Sequence, residues 1–487
     1  MEVKTSGYSE AGASHVKRAL KAFVADSISP REDIDFNNYT LRQRGRMLYM
    51  SSPMAAAAIN TMRTKGIGTG LHCKPSINYK LLGISEDAAY KWQQKTEAEF
   101  KMWAESKNCD ALGLSNFYEL EQLAMMSWLM SGDTFVLLKR AERKPFMPYT
   151  LRLQLIEADR ICTPGLSPYY TNGENESTGN KIYDGVEVDA SGRIVAYHIC
   201  NQYPRQFDIK EEIKWTRVEA VGEKTGIPNI LQIMNAERPE QYRGVTFLAP
   251  IIEVVLQERR YTEAELTAAI IQTYLTAWIV SESLSGNGNP LADDDDEGSS
   301  EDEAIMGPGN IIRLNRNEDV KFGNPNIPVA GFEDFIKTLN KQMGAALEIP
   351  YDVLVKEFNS SYSAAKGALE EASESIKMRR SWFVSDFCQP IYEIWLTEAV
   401  ATGRISAPGF LSNPIIKKAY STARWDGPAQ THLDPVKEAK ANEIIVGHGW
   451  KTNEQVTRQY YGGDWSENIE NLKNEQKRFG KEETDEE

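Results

Sequence analysis

The chain has 487 residues, enough for a large core and for two or three domains. Its 55 Lys and Arg stand against 70 Asp and Glu, a formal net charge of −15. A surface that grips DNA neutralises phosphates with the opposite balance, so the charge argues against a conventional DNA-binding domain and does not exclude a surface past which DNA slides.

The start, MEVKTSGYSEAGASHVKRAL, carries no apolar h-region, and a cytosolic chain is expected from it. To about Arg140 the pattern is helical. In SSPMAAAAINTMRTKGIG, Ser52 is placed to cap a helix that starts at Pro53, with Gly66 just past its end. Further helices are expected over Asp87 to Ser106 and from Asn116 to about Ser131. Gly66, Gly68 and Gly70 follow a helix instead of leading into one and miss the GxGxxG spacing, so they read as a flexible connection and not as a phosphate loop.

From Thr134 to about Asn235 the period changes to two, with strand-like runs separated by turn-rich pieces. Asp189 to Gly192 supplies a hairpin turn between VEV and RIVAYHI. His198 and Cys200 sit two apart on one strand face; with no second pair of ligands they read as packed strand, not a metal site. GEKTG at Gly222 to Gly226 has Glu223 where a P-loop requires glycine before the lysine. The five cysteines, Cys73, Cys109, Cys162, Cys200 and Cys388, show no CxxC pair, which fits free thiols in a reducing compartment.

Helix is expected again from Ile251 to about Val280. Its most apolar part, Leu266 to Val280, is shorter than the roughly 20 residues of a spanning helix and reads as buried. The following stretch, Ser281 to Gly309, is acidic and poor in apolar residues, and a long exposed loop is expected there. Asp293 to Asp296 lack the spacing of a calcium loop and read as solvated charge. Later helices are expected over Phe332 to Leu347, Tyr362 to about Arg380, and Trp382 to Val400, with Pro390 bending the last. No HExxH, GxSxG or DFG-type constellation occurs. With no catalytic, cofactor-binding or metal-binding residue to name, assembly becomes the leading class of function.

The stretch FNSSYSAAKGALEEASES sets small residues at three- and four-residue steps. Ser361, Ala364, Ala365, Ala368 and Ala372 fall on one narrow helix face that lets another backbone approach closely, either inside one subunit or between subunits.

Around that stretch the chain resembles the lambda-type portal proteins of tailed phages. The resemblance is carried by Pro350 and Tyr351; by Tyr362, Ser363, Lys366, Ala368 and Leu369; and by Gln389, Pro390, Tyr392 and Trp395. Lys366 replaces the more usual Arg, which implies a point-charge contact in place of a forked one. Three further blocks follow the family's order. RGRMLYMSSPMAAAAINTMRTKGIGTGLHCKPSI has Ser51 where Asn is common. ERPEQYRGVTFLAP matches through Arg238, Pro239, Gln241, Arg243, Gly244, Leu248 and Pro250. The last is LDPVKEAKANEIIVGHGWKTNEQVTRQYYGGDW.

The resemblance implies an α+β portal fold, mainly helical, with a β-rich middle section and long stem and crown helices. The implied regions are a helical wing over 1–140, a β-rich wing or clip-side region over 141–245, stem-type helices over 246–350 that include the acidic loop 281–309, and a wing and crown region over 351–487 with an acidic tail. A tunnel loop is expected by chain order over Phe322, Gly323, Asn324, Pro325, Asn326, Ile327, Pro328 and onward to Gly331. The implied protein is a closed ring, usually of twelve subunits, at a capsid vertex of the virion, assembled in the host cytoplasm. It passes double-stranded DNA in packaging and ejection. Its implied partners are itself, the major capsid protein, the terminase large subunit and a head-tail adaptor protein, with no membrane insertion, no cofactor and no enzymatic activity of its own. Another head-tail connector ring, or a metal-dependent nuclease using Asp293 to Asp296, is the alternative.

Overall fold

The computed structural model describes residues 13–14, 17–23, 26–165, 172–204, 206, 212–273, 276–281, 318–323, 331–358, 361–429 and 434–482. They form an α+β structure in two compact units, one of residues 1–255 with 340–487 and one of residues 256–339.

The larger unit is built on capped helices. Ser29 and Glu32 close a reciprocal capping box on the helix Pro30–Ser51, and Ser52 caps Pro53–Gly66 through the Ala55 N–H. That second helix runs through Gly66, and the left-handed residue that turns the chain is Gly68, at φ +61°. Helices Glu86–Glu105 and Phe117–Ser131 follow, capped by Ser85 and Asn116.

Their shared core is aromatic. Phe100 presents its ring edge-on to Phe117, Tyr392 and Trp395 at centroid separations of 5.6, 5.5 and 5.1 Å. Gln389–Ala401 therefore packs onto elements nearly three hundred residues earlier. The antiparallel strands His72–Pro75 and Ala423–Asp426 join the same distant regions.

The middle of the chain forms two antiparallel sheets. In one, Asp133–Arg140 lies between Leu151–Glu157 and Ile230–Met234. The other is a five-stranded meander from Asn172–Glu174 to Trp215–Glu219, and its Val186–Val188 to Ile194–Cys200 hairpin turns at Asp189 to Gly192. A second core of Phe135, Ile156, Ile230, Val186, Tyr197 and Ile199 joins the two sheets.

Two expectations need correction. The helix expected from Ile251 to Val280 spans Ile252–Thr273, and Thr276–Ser281 is a strand paired with Glu318–Gly323. A short apolar run has no decisive period, and the β-branched and aromatic residues of TAWIVS favour the strand. The helix is also not buried along its apolar part, since Leu266 is 61% and Ile270 48% exposed. The two helices expected to separate near Ser381 form one run. Tyr362–Phe383 passes through a π-turn at Val384–Cys388 into Gln389–Ala401, with the Gln389 N–H reaching back to the Val384 carbonyl. The wide turn lies immediately before Pro390, which has no N–H to give to an ordinary turn.

Candidate assembly surface

Ser361 caps the helix Tyr362–Phe383 by accepting a hydrogen bond from the Ala364 N–H at 3.4 Å. The structure divides the small-residue face along this helix. Ala365 and Ala372 are buried against the chain itself, in line with Ile376, where Pro53–Gly66 and Tyr351–Val355 pack. Ala368 is half-buried, while Ser361 and Ala364 are exposed. Gly367 faces open space, with nothing within 4 Å of where a Cβ would stand. Lys366 makes a single contact of 3.9 Å with Glu370, both side chains well exposed.

Beyond this helix lies a cleft of about 1490 Å³. One wall is the helix itself through Leu369, Ser373 and Lys377, and the other is Pro435–Gly447 through Ala441 and Ile445. Arg380 closes part of the floor, donating to the carbonyls of Gly66 at 2.7 Å and Lys65 at 2.8 Å. Gly427 lets it pass: an added Cβ would lie 2.9 Å from the guanidinium carbon. Arg424 bridges Asp426 and Glu454 nearby. Asn442 is buried in the cleft wall, and its Nδ2 has no hydrogen-bond partner.

A second polar constellation holds the sheets to the helices. Arg243 is fully buried and donates to Asp133 through Nε at 2.6 Å and Nη2 at 3.1 Å, to the Ala158 and Ile161 carbonyls, and to the Asp184 carbonyl. Arg42, from the helix Pro30–Ser51, donates to the Asp184 carboxylate at 2.6 Å. Gly244 and Gly132 cross so closely that a Cβ on Gly244 would stand 1.9 Å from the Gly132 carbonyl oxygen. Burial opposes charge on Asp133, but the two arginines outweigh it and hold its carboxyl below the usual range. Asp35, in the same knot, is pushed up to about 7 by burial and by Asp184, and its Oδ2 has no partner.

A third network lies on the five-stranded sheet. Glu187 is completely buried and accepts from Arg217, Asn175, Asn180 and Thr178, with the His198 ring 3.0 Å away. Burial works to raise its carboxyl, and these donors outweigh it and hold it at about 2.

Most of the motif residues named from the sequence thus do folding work. Tyr392 and Trp395 are core, Gln389 donates to the Ser421 carbonyl at 2.7 Å, and Asp434 caps Pro435–Gly447. Sequence reasoning missed Asp133, Asp184 and Arg42; the only local signal was Asp184-Gly185, a tight turn with Asp184 at φ +44°. Of the expected tunnel loop, Phe322 and Gly323 end the strand Glu318–Gly323 and Gly331 leads into the helix Phe332–Ala346, while Asn324 through Pro328 lie outside the described residues. The acidic stretch beyond Ser281, with Asp293 to Asp296, lies outside them too. Among the described residues no His, Cys, Asp and Glu group could hold a metal ion, and no helix is long and apolar enough to cross a membrane.

An α+β chain with a helical body, a β-rich middle and an open helix-lined cleft is what these elements define. The family model described as "Phage portal protein, lambda family" matches residues 17–380, three quarters of the chain, and the chain belongs to that family. It is 23% identical over 406 residues to the "Probable portal protein" of Halomonas phage phiHAP-1, covering 82% of this chain and 73% of that one. To "Portal protein B" of Escherichia phage lambda it is 20% identical over 464 residues, covering 90% and 84%. Among solved structures it is similar to a chain of the neck of a native gene transfer agent particle, at 13% identity and a TM-score of 0.43, covering 86% and 92%.

Proposed function

We propose that this chain is a phage portal subunit which assembles with its copies into a closed ring, of twelve, at one vertex of the virion capsid. The observation that carries the reading is its membership of the portal family across most of its length. The ring is a conduit for double-stranded DNA during packaging and ejection, and it docks the major capsid protein, the terminase large subunit and a head-tail adaptor protein. Assembly takes place in the host cytoplasm. The chain performs no chemistry itself; DNA moves past it. The net charge of −15 supports this role, because each Lys or Arg on a phosphate would add salt-dependent holding free energy to every step of translocation.

In this reading, residues 1–140 and 141–245 form the wing and clip side, 246–350 the stem with a tunnel loop over 322–331, and 351–487 the outer wing and crown. The exposed part of the small-residue face, Ser361 and Ala364, together with the adjacent Gly367, is where a neighbouring subunit comes close, since a glycine within a helix costs about 1 kcal/mol relative to alanine and no described residue of the chain lies within 4 Å of where its Cβ would stand. Electron microscopy of the purified protein tests the proposal. Top views with rotational symmetry and a central channel are expected; monomers at every salt and protein concentration overturn it. Cleavage of DNA on addition of Mg²⁺ overturns the non-enzymatic part.

A further inference from the structure

The buried face of the helix Pro30–Ser51 changes character halfway along. Its buried residues are Asp35, Asn38 and Arg42, then Gly45 and Leu48, at steps of three and four. The later half is locked by close approach: a Cβ on Gly45 would stand 2.6 Å from the Met130 carbonyl oxygen, and Leu48 joins the main core. The earlier half is held by polar contacts. Asn38 donates through Nδ2 to the Gly244 carbonyl at 3.0 Å, and Arg42 donates to Asp184 at 2.6 Å. The Arg31 guanidinium lies 4.4 Å from the centre of the Tyr183 ring, and Arg238 pairs with Asp33 at the surface. Ile34 and Leu41 on the same stretch are only half-buried.

The buried charges facing this half balance without Asp35. Arg243 and Arg42 meet Asp133 and Asp184, two cations against two carboxylates. Asp35 is 4% exposed among them, and its Oδ2 has no hydrogen-bond partner. Arg31, the remaining cation near it, is only half-buried over Tyr183 and Tyr242. An ionised Asp35 is therefore a third carboxylate against two buried cations, placed beside Asp184 with no donor on its Oδ2. Burial and Asp184 raise its carboxyl to about 7, so the surplus charge arises just above neutral pH. A surplus buried charge is relieved by reaching water, and the half of the helix that carries it is the half that no fully buried apolar side chain holds down.

We propose that residues 30–41 form a proton-held latch, docked on the Asp184 turn and the Gly244 segment while Asp35 is protonated and released from them when it ionises, with the helix beyond Gly45 staying in place. The closed form holds the proton, so closure is complete below about pH 7 and is lost as pH rises through it. Release turns the Gly244 carbonyl and the Asp184 carboxylate, which the latch covers, toward solvent. The device belongs to a single chain and stands apart from the ring reading.

Hydrogen–deuterium exchange of the full-length chain, read by mass spectrometry from about pH 6 to about pH 9 and scaled for the intrinsic pH dependence of amide exchange, tests the latch. Above about pH 7 the scaled protection of residues 34–41 should fall about tenfold per pH unit, the slope of an opening linked to one proton, while residues 45–51 keep theirs. Asp35→Asn, which cannot ionise, should stay protected across the range. Asp184→Asn restores the charge balance with Asp35 ionised and should abolish the slope as well. Protection of residues 34–41 that does not change up to about pH 9 overturns the latch. Equal loss in both halves of the helix overturns it too, since the opening is then not local. A slope that survives Asp35→Asn assigns the proton to another group and sinks the proposal, and one that survives Asp184→Asn sinks the charge balance on which it stands. If either variant fails to fold, as circular dichroism will show, the comparison of the two halves in the unaltered chain decides alone.

Discussion

The knot around Arg243 and the cleft beside Tyr362–Phe383 both gather arginine and carboxylate side chains, and they differ in burial. In the knot Arg243 has three acceptor carbonyls and a forked carboxylate, all within the chain, so its charge is spent on joining sheet to helix. In the cleft, Lys366 has one long contact to an exposed Glu370, and the Asn442 Nδ2 has no hydrogen-bond partner. The same chemistry is fold where it is saturated and available for a partner where it is not.

The comparison breaks first at Arg243. Arg243→Ala leaves Asp133 buried without its forked partner and Asp184 with Arg42 alone, and a loss of about 3–5 kcal/mol of stability by denaturant unfolding is expected. Arg243→Lys should recover only part of it, because an ammonium does not fork. Near-native stability for Arg243→Ala would mean that the knot does not hold the sheets.

Glu187 sharpens the same contrast through pH. Its folded carboxyl lies near 2, below the unfolded value, so its contribution is present above about pH 4.5 and is lost as pH falls toward 2. Glu187→Gln should cost about 2–4 kcal/mol at pH 7 and flatten the acid limb of the melting curve.

Asp35 works in the opposite direction. Its folded carboxyl is raised to about 7, so the folded state holds a proton that the unfolded state has released, and stability falls as pH rises from about 4 through 7. Asp35→Asn should remove that slope and stabilise the protein by about 1–3 kcal/mol at pH 8, read as a melting temperature that no longer falls between pH 5 and pH 8.

On the small-residue helix, Ala372→Leu overfills a buried site and should cost about 1–3 kcal/mol within the monomer. Gly367→Ala should raise monomer stability by about 0.5–1 kcal/mol while lowering ring yield. A gain in both would remove Gly367 from any contact between subunits. The smallest effect belongs to Lys366→Ala, under about 0.5 kcal/mol for so exposed a pair.

Much of this was legible in the sequence because it is local. Ser52 caps its helix wherever its neighbours fold, since a side-chain oxygen reaching an N–H two or three residues on needs no tertiary partner. The switch of period at Thr134 and the turn at Asp189 to Gly192 depend on near neighbours in the same way. The motif around Gln389 to Trp395 was visible because bulky aromatics at fixed spacing belong to one helix face that meets the core.

What the sequence could not state is which distant groups meet. Asp133, Asp184 and Arg42 are ordinary charged residues until tertiary structure takes them out of water together, and only then must each carboxylate find its arginine. TAWIVS is a strand because Glu318–Gly323 supplies the backbone partners that a single segment lacks. The small-residue face was read whole from its spacing, yet packing against Pro53–Gly66 and Tyr351–Val355 buries Ala365 and Ala372, half-buries Ala368 and leaves Ser361 and Ala364 uncovered. Periodicity fixes which residues share a face of a helix; the number of neighbours that arrive, and how much of the face they cover, is decided by the rest of the chain.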